Sequence, residues 1–445
     1  MLSLVSKLRS VLCAFASARS GNVAITFAFA TLPVIGMVGA SVDYSRANAV
    51  KAAMQTALDS TSLMLSKEAA TDTADQLQAS ATKYFKALFA PPGVSNISVS
   101  VSYTTDGGSA VALNGHADVP TTFMNVFGFQ KITVTNSSTS KWGSVRLRVA
   151  LVLDNTGSMA DDGKMTALKS ATKSLLAQLQ SAVSSPGDVY VSIIPFSKDV
   201  NVGSAYYDQT WIDWTSWNAS NQTCTWNWNG NNWTSNCTPK SHTTWNGCVT
   251  DRNKTQVPGT TYAYDQSAEN PDPTKPDSLF PAEQYNNCPV AMMGLNYDWT
   301  AMSNLVDSMT PNGNTNQPIG LVWGWQSLVG GGSLTAPLTS SDYTYQKIII
   351  LLSDGLNTQD RWYSNQTSID NRMLASDSSG TCANIKAAGI TIYTIQVNTG
   401  GDPTSTLLQN CASDTNKFWM LTSSGQIAMT FQQIGTNLTQ LRVAQ

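Results

Sequence analysis

The chain has 445 residues, enough for about two or three domains. Only 12% of them are charged, against the ~25% usual for soluble domains, and nothing in the net charge of −3 suggests a nucleic-acid surface. Two histidines, His116 and His242, are too few for most Ser–His or Cys–His nucleophile schemes and most zinc sites. Of the seven cysteines, Cys13 stands alone. The other six, Cys224, Cys237, Cys248, Cys288, Cys382 and Cys411, are widely spaced with no CxxC pair, which fits disulfides in an oxidising compartment better than a metal cluster.

Residues 1–22 carry Lys7, Arg9 and Arg19 and no acid, as a cytoplasmic basic segment does. Residues 23–42, VAITFAFATLPVIGMVGASV, then run for twenty positions without a charge, long enough to span a bilayer as a helix. The flanking cations predict a cytoplasmic N-terminus and export of the remainder. The helical, Ala-rich continuation predicts a retained anchor rather than a cleaved signal peptide. Over 43–145 the reading is a helix, with Val50, Met54, Ala57, Leu58, Met64 and Leu65 near one face, closed by Pro91-Pro92-Gly93. Half-buried strands follow in VSNISVSVSY, SAVALNGHADV and KITVTNSSTS, with His116 on a solvent-facing strand position.

Residues 146–445 alternate strand and helix. RLRVALVLD (146–154), VYVSIIPFS (189–197), KIIILLSDG (347–355) and ITIYTIQV (390–397) read as strands. Between and after them, 164–180, 317–329, 382–389 and 426–441 read as helices. This alternation predicts a doubly wound α/β sheet, with ligands at the carboxyl ends of the strands, where Asp154 and Asp354 fall. Cys382 opens one helix and Cys411 closes the next, so the strand between them returns the chain for a Cys382–Cys411 disulfide; the four earlier cysteines keep three connectivities open.

An insertion at about 204–300 differs in composition. It holds eight of the thirteen tryptophans, many Asn and Thr, and four cysteines. Its expected form is a small disulfide-stapled subdomain with a tryptophan core, and His242 is expected at its surface.

Asp154, Thr156 and Ser158 lie at alternate positions, one carboxylate and two hydroxyls pointing one way on an extended chain. All are oxygen donors suited to a hard cation. With Thr315 in TPNGNTN and Asp354 in LLSDG, the order resembles the metal-ion-dependent adhesion site of von Willebrand factor type A (VWA) domains. The resemblance implies Mg2+ (or Ca2+ or Mn2+) held by Asp154, Thr156, Ser158, Thr315 and Asp354, with a partner's acidic residue in the open coordination position. Thr156 stands where the family usually has Ser and keeps the hydroxyl. No general base accompanies these residues, Asp161 and Asp162 read as a solvated loop pair, and no GxxxxGK[ST] occurs, so an enzyme is not expected.

A second likeness concerns the N-terminal part. Gly21-Asn22, Val42-Asp43-Tyr44-Ser45-Arg46 and Gln55-x-Ala57-Leu58-Asp59 are similar to TadG-type proteins of Tad (Flp) pilus assembly, as are GLVWGWQSL (320–328), CANIKAAGITIYTI and LLQNCAS. Thr26 stands five positions after Gly21, where processed pilins carry Glu, which supports a retained anchor. The resemblance implies an inner-membrane, single-pass, largely periplasmic pilus-assembly component that binds other assembly proteins through its metal. The alternative is an adhesin exposed on the outer surface, binding host glycan or matrix through the VWA domain and the Trp-rich insertion.

Overall fold

The computed structural model describes residues 21–69, 72–105, 108–142, 145–183, 185–330, 334–374 and 380–443. Cys13 and the basic residues of the N-terminal segment lie outside them. The chain divides into two units, residues 1–142 and 143–445.

The first unit opens with α1 (Gly21–Leu65), a 45-residue helix with Pro33 inside it. It is long and apolar enough to cross a membrane. The helix expected to run to Pro91 is in fact two. The chain breaks after Leu65, and α2 (Ala74–Leu88) starts at a capping box in which Thr73 accepts from Gln76 N–H and Gln76 reaches back to Thr73 N–H. Three antiparallel strands follow, β1 (Ser95–Thr104), β2 (Ser109–Pro120) and β3 (Lys131–Trp142), in the order β1-β2-β3. Met54, Leu58, Phe85, Val111 and Leu113 form the core between helices and sheet. Leu58 and Met54 pack close over Gly115 of β2: a Cβ there would lie 3.1 Å from Leu58 Cδ1 and 3.2 Å from Met54 Sδ. His116 is half-exposed on β2, with Nε2 3.8 Å from Asp118.

The second unit is built on β4 (Val145–Asp154), α3 (Lys164–Ser181), β5 (Val189–Phe196), β6 (Val200–Asn201), β7 (Ile212–Asp213), α4 (Thr215–Ser220), β8 (Gln222–Trp228), β9 (Trp233–Pro239), β10 (Cys248–Val249), β11 (Phe280–Pro281) and β12 (Met293–Asn296). It continues with α5 (Trp299–Ser308), α6 (Gln317–Val329), β13 (Thr344–Ser353), α7 (Gln366–Met373), α8 (Thr381–Ala387), β14 (Thr391–Val397), α9 (Thr406–Cys411), β15 (Phe418–Leu421) and α10 (Gln426–Val443). The main sheet runs β10-β6-β5-β4-β13-β14-β15, with β12 also on β5. Every pairing along the path from β5 through β15 is parallel. Parallel pairing needs both faces covered. Along β4, Leu147, Val149, Leu151 and Leu153 face α3, α5 and α10, while Ala150 and Val152 face α6, α8 and α9.

The GLVWGWQSL segment is the buried helix α6, and its glycines have a packing reason. A Cβ on Gly320 would lie 2.9 Å from Val152 and Phe196, and one on Gly324 2.7 Å from Val152, so the helix backbone can rest directly on β4. Three disulfides hold the outer parts: Cys382–Cys411 joins α8 to α9, and the insertion has Cys224–Cys237 and Cys248–Cys288.

The insertion does not form a core of its own from all its tryptophans. Trp211, Trp217 and Trp245 are buried, and Trp211 meets Trp323 of α6 at 6.0 Å, so its core is continuous with one face of the main sheet. His242, expected as a surface residue, is half-buried: its ring stacks on Trp214 at 3.7 Å and Nε2 meets Asn218 Oδ1 at 2.8 Å. Burial lowers its pKa. By contrast Trp226, Trp228 and Trp233 stand 54–64% exposed on the β8–β9 hairpin.

Candidate metal centre

The chain leaves β4 for β5 on one side and returns to β13 on the other. The carboxyl ends of β4 and β13 therefore flank the crevice where strand order reverses, the place where α/β sheets bind ligands. Asp154 ends β4 and Asp354 follows β13.

The two hydroxyls and two carboxylates form a hydrogen-bonded chain. Asp154 Oδ1 accepts from Thr156 N–H at 2.9 Å and Thr156 Oγ1 at 2.6 Å. Thr156 Oγ1 meets Ser158 Oγ at 3.2 Å, and Ser158 Oγ donates to Asp354 Oδ1 at 2.7 Å. Asp154 is fully buried. Burial, joined by the charge of Asp354, pushes its carboxyl up to about 7 despite bonds from Ser353 and Thr156 that favour the ionised form.

Thr315 reaches this crevice on the loop before α6. Asn312 N–H donates to Asn155 O at 2.8 Å and Gly157 N–H to Gly313 O at 3.0 Å, so the loop carrying Thr315 lies against the one carrying Thr156 and Ser158. Thr315 N–H donates to Thr358 Oγ1 at 2.8 Å, and Thr315 O accepts from Thr358 N–H at 2.9 Å, which ties it to the loop after Asp354. Gly313 must be glycine: φ is +86° and a Cβ would lie 2.6 Å from Tyr285 Oη. Asp154, Thr156 and Ser158, singled out by spacing, and Thr315 and Asp354, added by the resemblance, thus belong to three loops that hydrogen-bond to one another. Asp161 and Asp162 are exposed beside them.

Three further residues complete the arrangement. Lys164, 7% exposed at the start of α3, donates from Nζ to Asp354 Oδ2 at 2.5 Å. Ser353 Oγ donates to Asp154 Oδ2 at 2.6 Å, and Gln317 Nε2 holds Ser353 Oγ and Gly355 O, each at 3.0 Å. None belongs to a recognisable motif. Ser353 alone had a signal, since it precedes Asp354 and alternation turns it toward the neighbouring strand's end.

The insertion supports the second loop from behind. Asn316, the N-cap of α6, donates from Nδ2 to Asp251 Oδ2 at 2.8 Å and to Lys198 O at 3.0 Å. Tyr285 Oη accepts from Asn314 N–H at 3.2 Å. Asp251 is buried, and burial, with the charges of Asp360 and Asp265, pushes its carboxyl up to about 7. Lys198 pairs with Glu283 and lies 3.8 Å from buried Asp199.

The donor set suits a hard divalent ion. Two carboxylates face one ammonium, so about one negative charge lacks a counter-cation in a buried place, and the neighbouring donors are hydroxyls. The buried Oε1 of Gln317 and Oδ1 of Asn155 have no hydrogen-bond partner among the described residues. Among the described residues no group of three or more His, Cys, Asp or Glu side chains could hold a metal, so an ion here would depend on Thr and Ser oxygens.

Residues 21–72 match the family described as "Putative Flp pilus-assembly TadE/G-like". No curated protein matches the chain. Several solved structures are similar at low identity. Proximal thread matrix protein 1 from the mussel byssus is 12% identical with a TM-score of 0.31, over 66% of this chain and 46% of its own. The present chain therefore spans about half the length of that protein. The vWF domain of the type V pili tip protein Mfa5 from Porphyromonas gingivalis is 12% identical, TM-score 0.37, over 67% of this chain and 96% of that one. The PilB minor pilin from Streptococcus sanguinis is 12% identical, TM-score 0.36, over 78% and 79%. Residues 21–72 are thus similar to the TadE/G-like family, and the unit that follows is a doubly wound α/β domain.

Proposed function

We propose that this chain is a membrane-anchored, exported, non-enzymatic component of Tad/Flp-type pilus assembly or secretion that holds a protein partner through a divalent metal. Apolar residues 23–42 are the anchor, with residues 1–22 cytoplasmic and the remainder, VWA domain included, on the far side of the inner membrane. The three disulfides fit an oxidising compartment. The observation that carries the metal reading is the chain of hydrogen bonds Asp154–Thr156–Ser158–Asp354 at the switch point of the sheet.

Asp154, Thr156, Ser158 and Thr315 are the residues that would hold Mg2+ (Ca2+ and Mn2+ share its preference for oxygen), with Asp354 acting from behind Ser158. The bound ion would supply a Lewis-acidic position for a carboxylate of the partner. Around it, Lys164 keeps one oxygen of Asp354 occupied, Ser353 and Gln317 fix the rotamer of Asp154, and the Asp251–Asn316 bond fixes the loop of Thr315. Capture of envelope proteins by the full chain in Mg2+ against EDTA tests this reading. A partner retained only in Mg2+, and lost with Asp154→Asn, is expected; equal capture in EDTA contradicts it.

A second reading, adhesion to a glycan, rests on one observation. Trp226, Trp228 and Trp233 share one face of the β8–β9 hairpin with the Cys224–Cys237 disulfide, and residues 214–239 carry no charge. Exposed indole faces beside Asn and Thr can stack on a neutral sugar ring. Polysaccharide retention in EDTA that is lost in the triple Trp→Ala variant would favour it. Retention equal to that of the variant would remove it.

A further inference from the structure

The loop between β2 and β3, residues 121–130, is apolar at its tip. Phe123, Val126, Phe127 and Phe129 are 43%, 83%, 59% and 61% exposed. Twelve consecutive residues, 119–130, carry no charge. A water-facing strand connection is normally polar, and a cluster of exposed large apolar side chains marks an interaction site.

Its position against α1 says with what. A Cβ on Gly36 would lie 2.9 Å from Phe127 Cζ, and one on Gly39 2.5 Å from Phe123 Cβ. Two glycines one turn apart thus open a seat on the helix for two phenylalanines of the loop. Asp43, just beyond the uncharged stretch and only 3% exposed, fastens the loop there: its carboxylate accepts the backbone N–H groups of Thr122, Phe123 and Met124 at 2.9, 2.8 and 2.7 Å. This gives the Asp of the Val42-Asp43-Tyr44-Ser45-Arg46 signature a physical role.

Gly36 lies six residues inside the end of the 23–42 stretch, about 9 Å along the helix at 1.5 Å per residue. Half of a bilayer's hydrocarbon core is roughly 15 Å. A loop seated at Gly36 therefore shares the depth of acyl chains wherever α1 crosses the membrane. The helix beside it is lipid-facing in composition too, with Val34, Ile35, Met37 and Val38 exposed. Cations flank the loop on the water side. Lys131, its side chain 58% exposed, is bonded to Asp118 at 2.6 Å, and Arg46 lies one turn beyond Asp43. An apolar tip, seated along a membrane helix and bounded by cations, fits the hydrocarbon and headgroup layers of one leaflet.

We propose that the 121–130 loop is a membrane-inserted wedge, dipping its phenylalanines into the outer leaflet of the membrane that α1 crosses, with Asp43 as the clasp that holds it against the helix. The inference rests on the anchor reading of residues 23–42. It gives the chain a second hold on the bilayer and fixes the loop end of the β1–β3 sheet at the membrane surface.

The test is nitroxide accessibility on the full chain reconstituted in phosphatidylcholine vesicles, in a Cys13→Ser background that leaves the disulfides intact. Labels are placed at Val126→Cys and, independently, Phe129→Cys. Val38→Cys serves as the reference inside the span, and Thr104→Cys, at the opposite end of β1, as the water reference. Oxygen-over-nickel accessibility at 126 and 129 matching that at 38, and several-fold above that at 104, is expected; a further Asp43→Ala change should move the loop labels toward the water value and leave 38 unchanged. Water-like values at both 126 and 129 with 38 still buried in lipid overturn the wedge and leave the anchor standing. A water-like value at 38 overturns both. Spin–spin broadening between copies at 126 and 129 assigns the loop to a contact between two chains instead, and also overturns the wedge.

Discussion

Replacing Asp154 with asparagine tests the electrostatics of the centre without changing its shape. The Asp154 carboxyl is fully buried and its pKa is pushed from 3.8 up to about 7 by burial and by the charge of Asp354. A raised folded-state pKa means that stability is full below the unfolded value and is lost as pH rises through the folded one, here between about pH 4 and pH 7. About 3 pKa units at 1.36 kcal/mol each put the metal-free cost of ionising Asp154 near 4 kcal/mol. The asparagine side chain would escape that cost but would turn an amide N–H toward a hydroxyl that now donates, giving back about 1–2 kcal/mol. In EDTA at pH 8 the Asp154→Asn protein should therefore be more stable by roughly 2–3 kcal/mol, a rise of about 3–5 °C in the melting temperature of a unit spanning residues 143–445. The downward slope of its stability from pH 4 to pH 7 should also become shallower, leaving the part that buried Asp251 contributes. Saturating Mg2+ reverses the order, since the ion stabilises only the wild type. Thermal unfolding of the full chain in detergent, scanned from pH 4 to pH 9 with EDTA or Mg2+, measures both effects. A variant that keeps the wild-type pH slope in EDTA, or that Mg2+ stabilises equally, would refute the reasoning.

Lys164→Met removes the ammonium at Asp354 and leaves a buried carboxylate without its partner. In EDTA the loss should be about 3–5 kcal/mol, and Mg2+ should restore much of it, with tighter metal binding than in the wild type; chemical denaturation with and without Mg2+ reads both. Cys382→Ser with Cys411→Ser opens a loop of sequence separation 29 and should cost about 3–4 kcal/mol on the chain-entropy account, with Mg2+ affinity unchanged because the bond lies between α8 and α9, away from the centre. A loss of metal affinity in that double variant would show that the disulfide positions the site.

The parts of this molecule that were legible in the sequence are those written in local periodicity. Leu147 to Leu153 alternate in identity only weakly, yet the unbroken apolar run ending in Asp154 marks a strand covered on both faces, and the matching run ending in Asp354 marks its neighbour. The break in the first helix was written in Thr73-x-x-Gln76, a capping box without an apolar run strong enough to single it out. Lys164 was not legible, because a lysine at a helix start reads as solvated until α3 is placed against the β13 loop. The same holds for Asp251, which meets Asn316 across 65 positions, and for His242, whose partner Trp214 lies 28 positions away. The split fate of the insertion's tryptophans follows from register. Trp226, Trp228 and Trp233 fall on one side of a two-stranded hairpin with nothing over it, whereas Trp211 falls against Trp323.

The central claim is that Thr156, with Asp154 and Ser158, presents oxygen to a divalent ion rather than forming a polar turn. Thr156→Ser keeps the hydroxyl that bonds Asp154 at 2.6 Å, and Thr156→Val keeps the shape and deletes the oxygen. Calorimetric titration of Mg2+ into the full chain in detergent, with circular dichroism as the folding control, should give the Ser variant an affinity near the wild type's and leave the folded Val variant with no measurable binding. A folded Thr156→Val protein that binds Mg2+ as tightly as the wild type would contradict the account.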